Sequence, residues 1–212
     1  MTLREARRER AVEALQAAVR IPTVSRRDGV NTEVFDALLA ELERRFPLLH
    51  ERLELTRVHT HGLLFRWAGT SDAQPIVLMA HLDVVPIEDE SRWTHPPFSG
   101  AVVDGVVWGR GTLDDKGCVV AICAAVEELL EDGHQPAQDV WPSFGCGEDD
   151  DMPYFDTCFL KASGTATSWA NLADRARACV AAREAEEQLE PASEPQVFVG
   201  ERIVPMMRGR RR

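Results

Sequence analysis

Three short stretches of this chain gather the residue types that bind a metal and move a proton: His81-Leu82-Asp83, Asp114-Asp115 and Glu148-Asp149. Imidazole and carboxylate are the ligands of metals that activate water, provided one coordination position stays open. His81 and Asp83 stand two apart, which in an extended chain puts both side chains on one side, where they can converge. A lone His-x-Asp reads first as a satisfied surface pair. The other carboxylates shift that balance, because each cluster closes a segment of strand character: 75–80, 106–108 and 140–146. The carboxyl ends of strands are where open α/β sheets place their ligands. The competing reading is a phosphate cradle at Gly109-Arg110-Gly111. It lacks the later glycine of a dinucleotide fingerprint and a Gly-Lys-Ser/Thr ending, and the carboxylates behind it repel phosphate.

The elements that must position these residues are visible in the patterning. An amphipathic helix is predicted over 3–19, stopping before Pro22. A second begins at Asn31 or Thr32 and sets Val34, Phe35, Leu38, Leu39, Leu42 and Phe46 on one stripe before Pro47. Residues 53–58 and 63–67 read as strands around a His61-Gly62 turn. The apolar run 75–80 predicts a strand buried on both faces. Asp104-Gly105 between two valine pairs signals a hairpin. A helix follows over 118–130, ending at Asp132-Gly133, and a short strand near 140–146. Helices alternating with buried strands predict a layered α/β domain with helices on both faces.

Composition bounds the partners. A chain of 212 residues with 44% hydrophobic and 28% charged residues can bury a core without staples. A net charge of -11 argues against nucleic acid and anionic membrane surfaces as partners. The arginines at 208 and 210–212 read as a frayed, solvated end. Five cysteines, an odd number without CxxC spacing, suggest neither a disulfide framework nor a thiolate zinc knot. The charged first ten residues predict no signal peptide, and no stretch has transmembrane length, so a cytoplasmic location is the default.

Two longer motifs contain the candidate residues. They are the run 77–86 (VLMAHLDVVP) with 93–100 (WTHPPFSG), and the run 104–117 (DGVVWGRGTLDDKG). Together they resemble the zinc-dependent metallopeptidase family of glutamate carboxypeptidase, aminoacylase, acetylornithine deacetylase and succinyl-diaminopimelate desuccinylase. Within it they look most like the carboxypeptidase S and N-fatty-acyl-amino-acid hydrolase branch, over roughly residues 12–149. The resemblance implies a three-layer α/β/α zinc-exopeptidase-like catalytic domain. It implies two zinc ions, with cobalt or manganese as alternatives. His81 is then a ligand of one zinc, Asp83 orients its imidazole, and Asp114 bridges two metals through a cis Asp114-Asp115 bond. Glu148 is the general base, and Asp149 stands where the family has a glutamate ligand. The implied reaction is hydrolysis of the amide bond of N-acyl amino acids or small peptides.

The pattern departs from the family after about residue 142. Pro142 sits where a central strand should continue and removes a ladder hydrogen bond, and Gly147 replaces an acidic residue ahead of the Glu148-Asp149 pair. No match to the later ligands follows; Asp174 is a poor candidate, and the last histidine is His134. The lid domain has no counterpart, which makes the catalytic domain incomplete and argues against the family's dimer. Residues 1–150 therefore read as the N-terminal part of a metallohydrolase catalytic domain, and 151–212 as a divergent tail, partly helical or disordered. A shifted reading frame accounts for the abrupt change, and family motifs in another frame of the coding DNA test it. The alternative function is an inactive remnant that binds at most one metal weakly.

Overall fold

The computed structural model describes residues 1–26, 29–58, 60–146, 196–199 and 202–205. Glu148, Asp149, Asp174 and most of the predicted tail lie outside the described residues. Helix α1, Leu3–Arg20, opens with a capping box: Thr2 Oγ1 accepts from the Glu5 amide at 3.2 Å, and Glu5 Oε2 accepts from the Thr2 amide at 2.6 Å. The short strands β1, Ser25–Arg26, and β2, Gly29–Val30, follow. Helix α2, Thr32–Arg45, buries Phe35, Leu38, Leu39 and Leu42, the stripe legible in the sequence. Pro47 does more than close this helix. It is the first residue of a further helix, α3, Pro47–Arg52, where its missing N–H deprives the helix of no bond.

Strands β3, Glu54–Val58, and β4, Gly62–Arg66, form an antiparallel hairpin in the register Glu54↔Arg66. Strand β5, Ile76–His81, leads to a separate hairpin of β6, Ala101–Val103, and β7, Val106–Trp108. Its turn residues Asp104 and Gly105 have φ of 51° and 79°, the doubly positive pair that a two-residue type I′ turn requires. Helix α4, Lys116–Glu131, then returns the chain to β8, Val140–Gly145. The main sheet has the order β3-β4-β8-β5, with β8 antiparallel to β4 and parallel to β5. Strands β9, Gln196–Val199, and β10, Arg202–Pro205, pair antiparallel in a sheet of their own. One apolar core joins helices to sheet, with Phe35, Leu49, Phe65 and Phe144 fully enclosed.

One expectation needs correction and another holds. Strand β5 is not buried on both faces: Ile76 and Met79 are 42% and 37% exposed. Among the described residues it is an outer strand, paired on one side only, so an apolar run here is not matched by cover on every side. Pro142 lies in a central strand and, as expected, costs it a ladder bond. Val140 exchanges backbone hydrogen bonds with Trp67 at 2.8 and 3.0 Å, and Pro142, two residues on, faces the same neighbour. Pairing between β4 and β8 resumes only at Leu64↔Ser143 and Leu63↔Phe144. The parallel ladder to β5 runs unbroken from Ile76↔Val140 to His81↔Gly145. The proline therefore weakens one side of β8 and spares the side that carries His81.

Candidate metal centre

His81 is the last residue of β5, beside Gly145 at the end of β8. The chain beyond it stays extended because it is gripped on both sides. Leu82 N donates to Gly145 O at 2.7 Å, and Val84 N donates to Thr23 O at 2.9 Å. Ser25 N donates to Val84 O at 3.1 Å, and Thr23 Oγ1 donates to Leu82 O at 2.7 Å. The segment after α1 thus forms a splint along residues 82–84, and both the imidazole and Asp83 are set by it.

The side chains converge as their spacing predicts. His81 Nδ1 lies 3.0 Å from the carbonyl oxygen of Asp83 and 3.5 Å from its Oδ1. His81 Nε2 lies 3.0 Å from Asp114 Oδ1. Asp83 is wholly buried, whereas the Asp114 side chain is 73% exposed. The neighbouring Asp115 turns the other way and accepts from the His81 backbone amide at 3.1 Å. The bond joining the two aspartates is cis, as the resemblance implies.

This arrangement sets a requirement on Nε2. A carbonyl oxygen only accepts, so Nδ1 must carry the hydrogen that meets it. In a neutral ring Nε2 then presents a lone pair, and it faces a carboxylate oxygen, another acceptor. Two acceptors at 3.0 Å need a positive charge between them or on the ring. A proton meets that need, and so does a metal: two donors at 2.0–2.1 Å from one zinc lie about 3.3 Å apart at the tetrahedral angle. The pair therefore fits a divalent cation. Among the described residues no group of three or more His, Cys, Asp or Glu side chains gathers around such an ion.

Residues that pattern reading passed over complete the surroundings. Lys116 is 1% exposed, and its Nζ donates to the carbonyl oxygens of Ala18 and Ile21 at 2.9 and 2.5 Å, fastening the start of α4 to the end of α1. Burial pulls its ammonium pKa down to about 7, against the attraction of Asp83. Cys118, hydrogen-bonded to Asp115, has its thiol pushed up to about 11. Ser25 donates to Asp83 Oδ2. The signal for Ser25 was present: Thr23 and Ser25 put two hydroxyls on one side of an extended segment. Nothing local marks Lys116, which in isolation reads as one more solvated charge.

Residues 77–182, half of the chain, match the family described as Peptidase family M20/M25/M40. The chain belongs to this family. Carboxypeptidase S of Saccharomyces cerevisiae is 40% identical over 154 residues, covering 67% of this chain and 27% of the relative. The N-fatty-acyl-amino acid synthase/hydrolase of Xenopus tropicalis is 39% identical over 156 residues, covering 71% of this chain and 30% of the relative. The chain thus spans less than a third of the length of either. Among solved structures, an M20 family metallo-carboxypeptidase from Sulfolobus solfataricus superposes with a TM-score of 0.57 at 20% identity, over 74% of this chain and 35% of that one. The fold is accordingly that of an M20 catalytic domain, an α/β domain present here in part. Family membership implies a divalent metal. Among the described residues no helix is long and apolar enough to cross a membrane.

Proposed function

We propose that this chain carries the metal-binding part of a hydrolase that cleaves the amide bond of N-acyl amino acids or short peptides. The observation that carries the reading is His81 Nε2 facing Asp114 Oδ1 at 3.0 Å while Nδ1 is held by the Asp83 carbonyl. His81 and Asp114 are the residues that hold the metal, zinc by the family's habit, and Asp83 fixes the ring that holds it. The ion supplies a Lewis acid that lets water act as the nucleophile near neutral pH. Glu148 takes the proton from that water and passes it to the leaving amine, and Asp149 is a further ligand. In support, β8 ends at Gly145, the register partner of His81, three residues before Glu148. The substrate class follows the two relatives, which are named for a carboxypeptidase and an N-fatty-acyl-amino acid hydrolase. The location in this reading is cytoplasmic, which rests on the odd number of cysteines without paired spacing.

A second reading follows from the sequence's departures after about residue 142: an inactive remnant that binds at most one metal weakly. Metal content by elemental analysis, together with hydrolysis of an N-acyl amino acid, separates the two. The hydrolase reading expects bound metal and turnover in the wild type. His81→Ala should then lose metal and activity together, whereas Glu148→Gln keeps metal and loses turnover. One metal without turnover in folded protein establishes the remnant. Folded protein that takes up no metal overturns both.

A further inference from the structure

We infer that Ser25 is a positioning residue of the centre: its hydroxyl fixes the Asp83 carboxylate, and through it the tautomer and aim of the His81 ring. The inference rests on the reading of His81 as a metal ligand. Asp83 and Ser25 are 0% and 2% exposed, so their hydrogen bond forms away from water. A carboxylate only accepts, so the Ser25 Oγ–H is the donor and Oδ2 is the oxygen it engages. The other oxygen, Oδ1, is left on the side of His81 Nδ1, at 3.5 Å.

The hydroxyl is itself held in place by backbone. Ser25 N donates to Val84 O at 3.1 Å, and Val24 bridges Val84 in parallel. These bonds fall on the residue directly after Asp83. The carboxylate is therefore approached by a rigid neighbour belonging to an element 58 residues earlier in the chain. A buried carboxylate with one oxygen so fixed cannot rotate freely. Its other oxygen, Oδ1, and its own carbonyl then lie toward Nδ1, which keeps the hydrogen there and the Nε2 lone pair toward Asp114. Removing the hydroxyl releases that constraint without touching either residue that meets the cation.

The test compares full-length wild type with Ser25→Ala and Ser25→Thr, the latter keeping a hydroxyl at the same carbon. Nitrogen-15 NMR of the His81 imidazole, assigned against His81→Gln, reads the tautomer without metal. Cobalt(II) absorption reads affinity and coordination. Ser25→Ala should mix the tautomers of His81 and weaken cobalt binding about tenfold, the scale on which residues behind a metal ligand act. Ser25→Thr should restore both. If Ser25→Ala leaves the His81 nitrogen shifts as in wild type, the inference is wrong. A melting temperature lowered equally in both variants, with unchanged shifts, overturns it too. A wild type that binds no cobalt defeats the metal reading alone, and the tautomer comparison still decides Ser25.

Discussion

His61 and His81 differ in what each ring nitrogen meets. His61 is 5% exposed, at the turn between β3 and β4, tilted against Phe35 with ring centroids 5.0 Å apart. Its Nε2 is buried without a hydrogen-bond partner, 3.6 Å from Asp36 Oδ1. Burial pushes its pKa below the ordinary 6.5, more strongly than Asp36 pulls it up. Between that lowered value and 6.5 the unfolded chain binds more protons than the folded one. The contribution is therefore complete above pH 6.5 and lost as pH falls through the folded pKa. Urea midpoints should drop from pH 7 to pH 5, and the drop should shrink in His61→Phe. An equal drop in both proteins would assign the acid sensitivity to other groups. The two histidines look alike as single letters. Only Asp83 two residues on, and the later aspartates, marked His81 as the candidate metal ligand.

At the scale of elements, the loop 109–117 decides where Asp114 sits, and its last glycine is there for space. A Cβ on Gly117 would lie 2.2 Å from the Thr112 carbonyl oxygen, a backbone atom that can yield only if the loop moves with it. Gly105, in the β6–β7 turn, would meet nothing within 4 Å, and only its φ of 79° opposes a side chain. Gly105→Ala should therefore cost about 1–2 kcal/mol, the strain of the left-handed region. Gly117→Ala should cost more, about 2–3 kcal/mol, because the loop must shift. It should also weaken metal binding, which Gly105→Ala leaves intact. Urea unfolding and cobalt titration of both variants check this; equal losses would mean that the loop yields freely. Periodicity made α1, α2, the hairpins and the strand leading to His81 legible. It could not show α3, because a proline that ends one helix can also begin the next. Nor could an apolar run tell an outer strand from an enclosed one, since cover is supplied by distant chain. The splint at residues 23–25 and the Lys116 anchor escaped for the same reason.

Over the whole molecule, α4 is the element that ties the rest together. Arg7 pairs with Asp132 at 2.6 and 3.0 Å, and Arg10 with Glu131 at 2.6 and 2.8 Å, joining α1 to the end of α4. Pairs at such exposed positions contribute little, because water and salt screen them. Glu127 is a different case. It is 6% exposed, and its two oxygens accept from the amides of Leu48 and Leu49 at 3.0 and 2.8 Å. Those amides open α3, whose own cap, Phe46, offers no side-chain acceptor. A carboxylate from another helix therefore does the capping, and it also meets the positive end of the α3 dipole. Glu127→Leu strands both donors, each worth about 1–3 kcal/mol when buried. The total should be about 2–4 kcal/mol, seen as a lower urea midpoint at unchanged slope. Glu127→Gln keeps one acceptor and should lose about half as much, while Arg10→Ala should lose less than either. If Glu127→Leu proves no worse than Arg10→Ala, α3 is held by the packing of Leu49 rather than by its borrowed cap. The same comparison shows whether α4 fastens the helical layer by charge or by its apolar face.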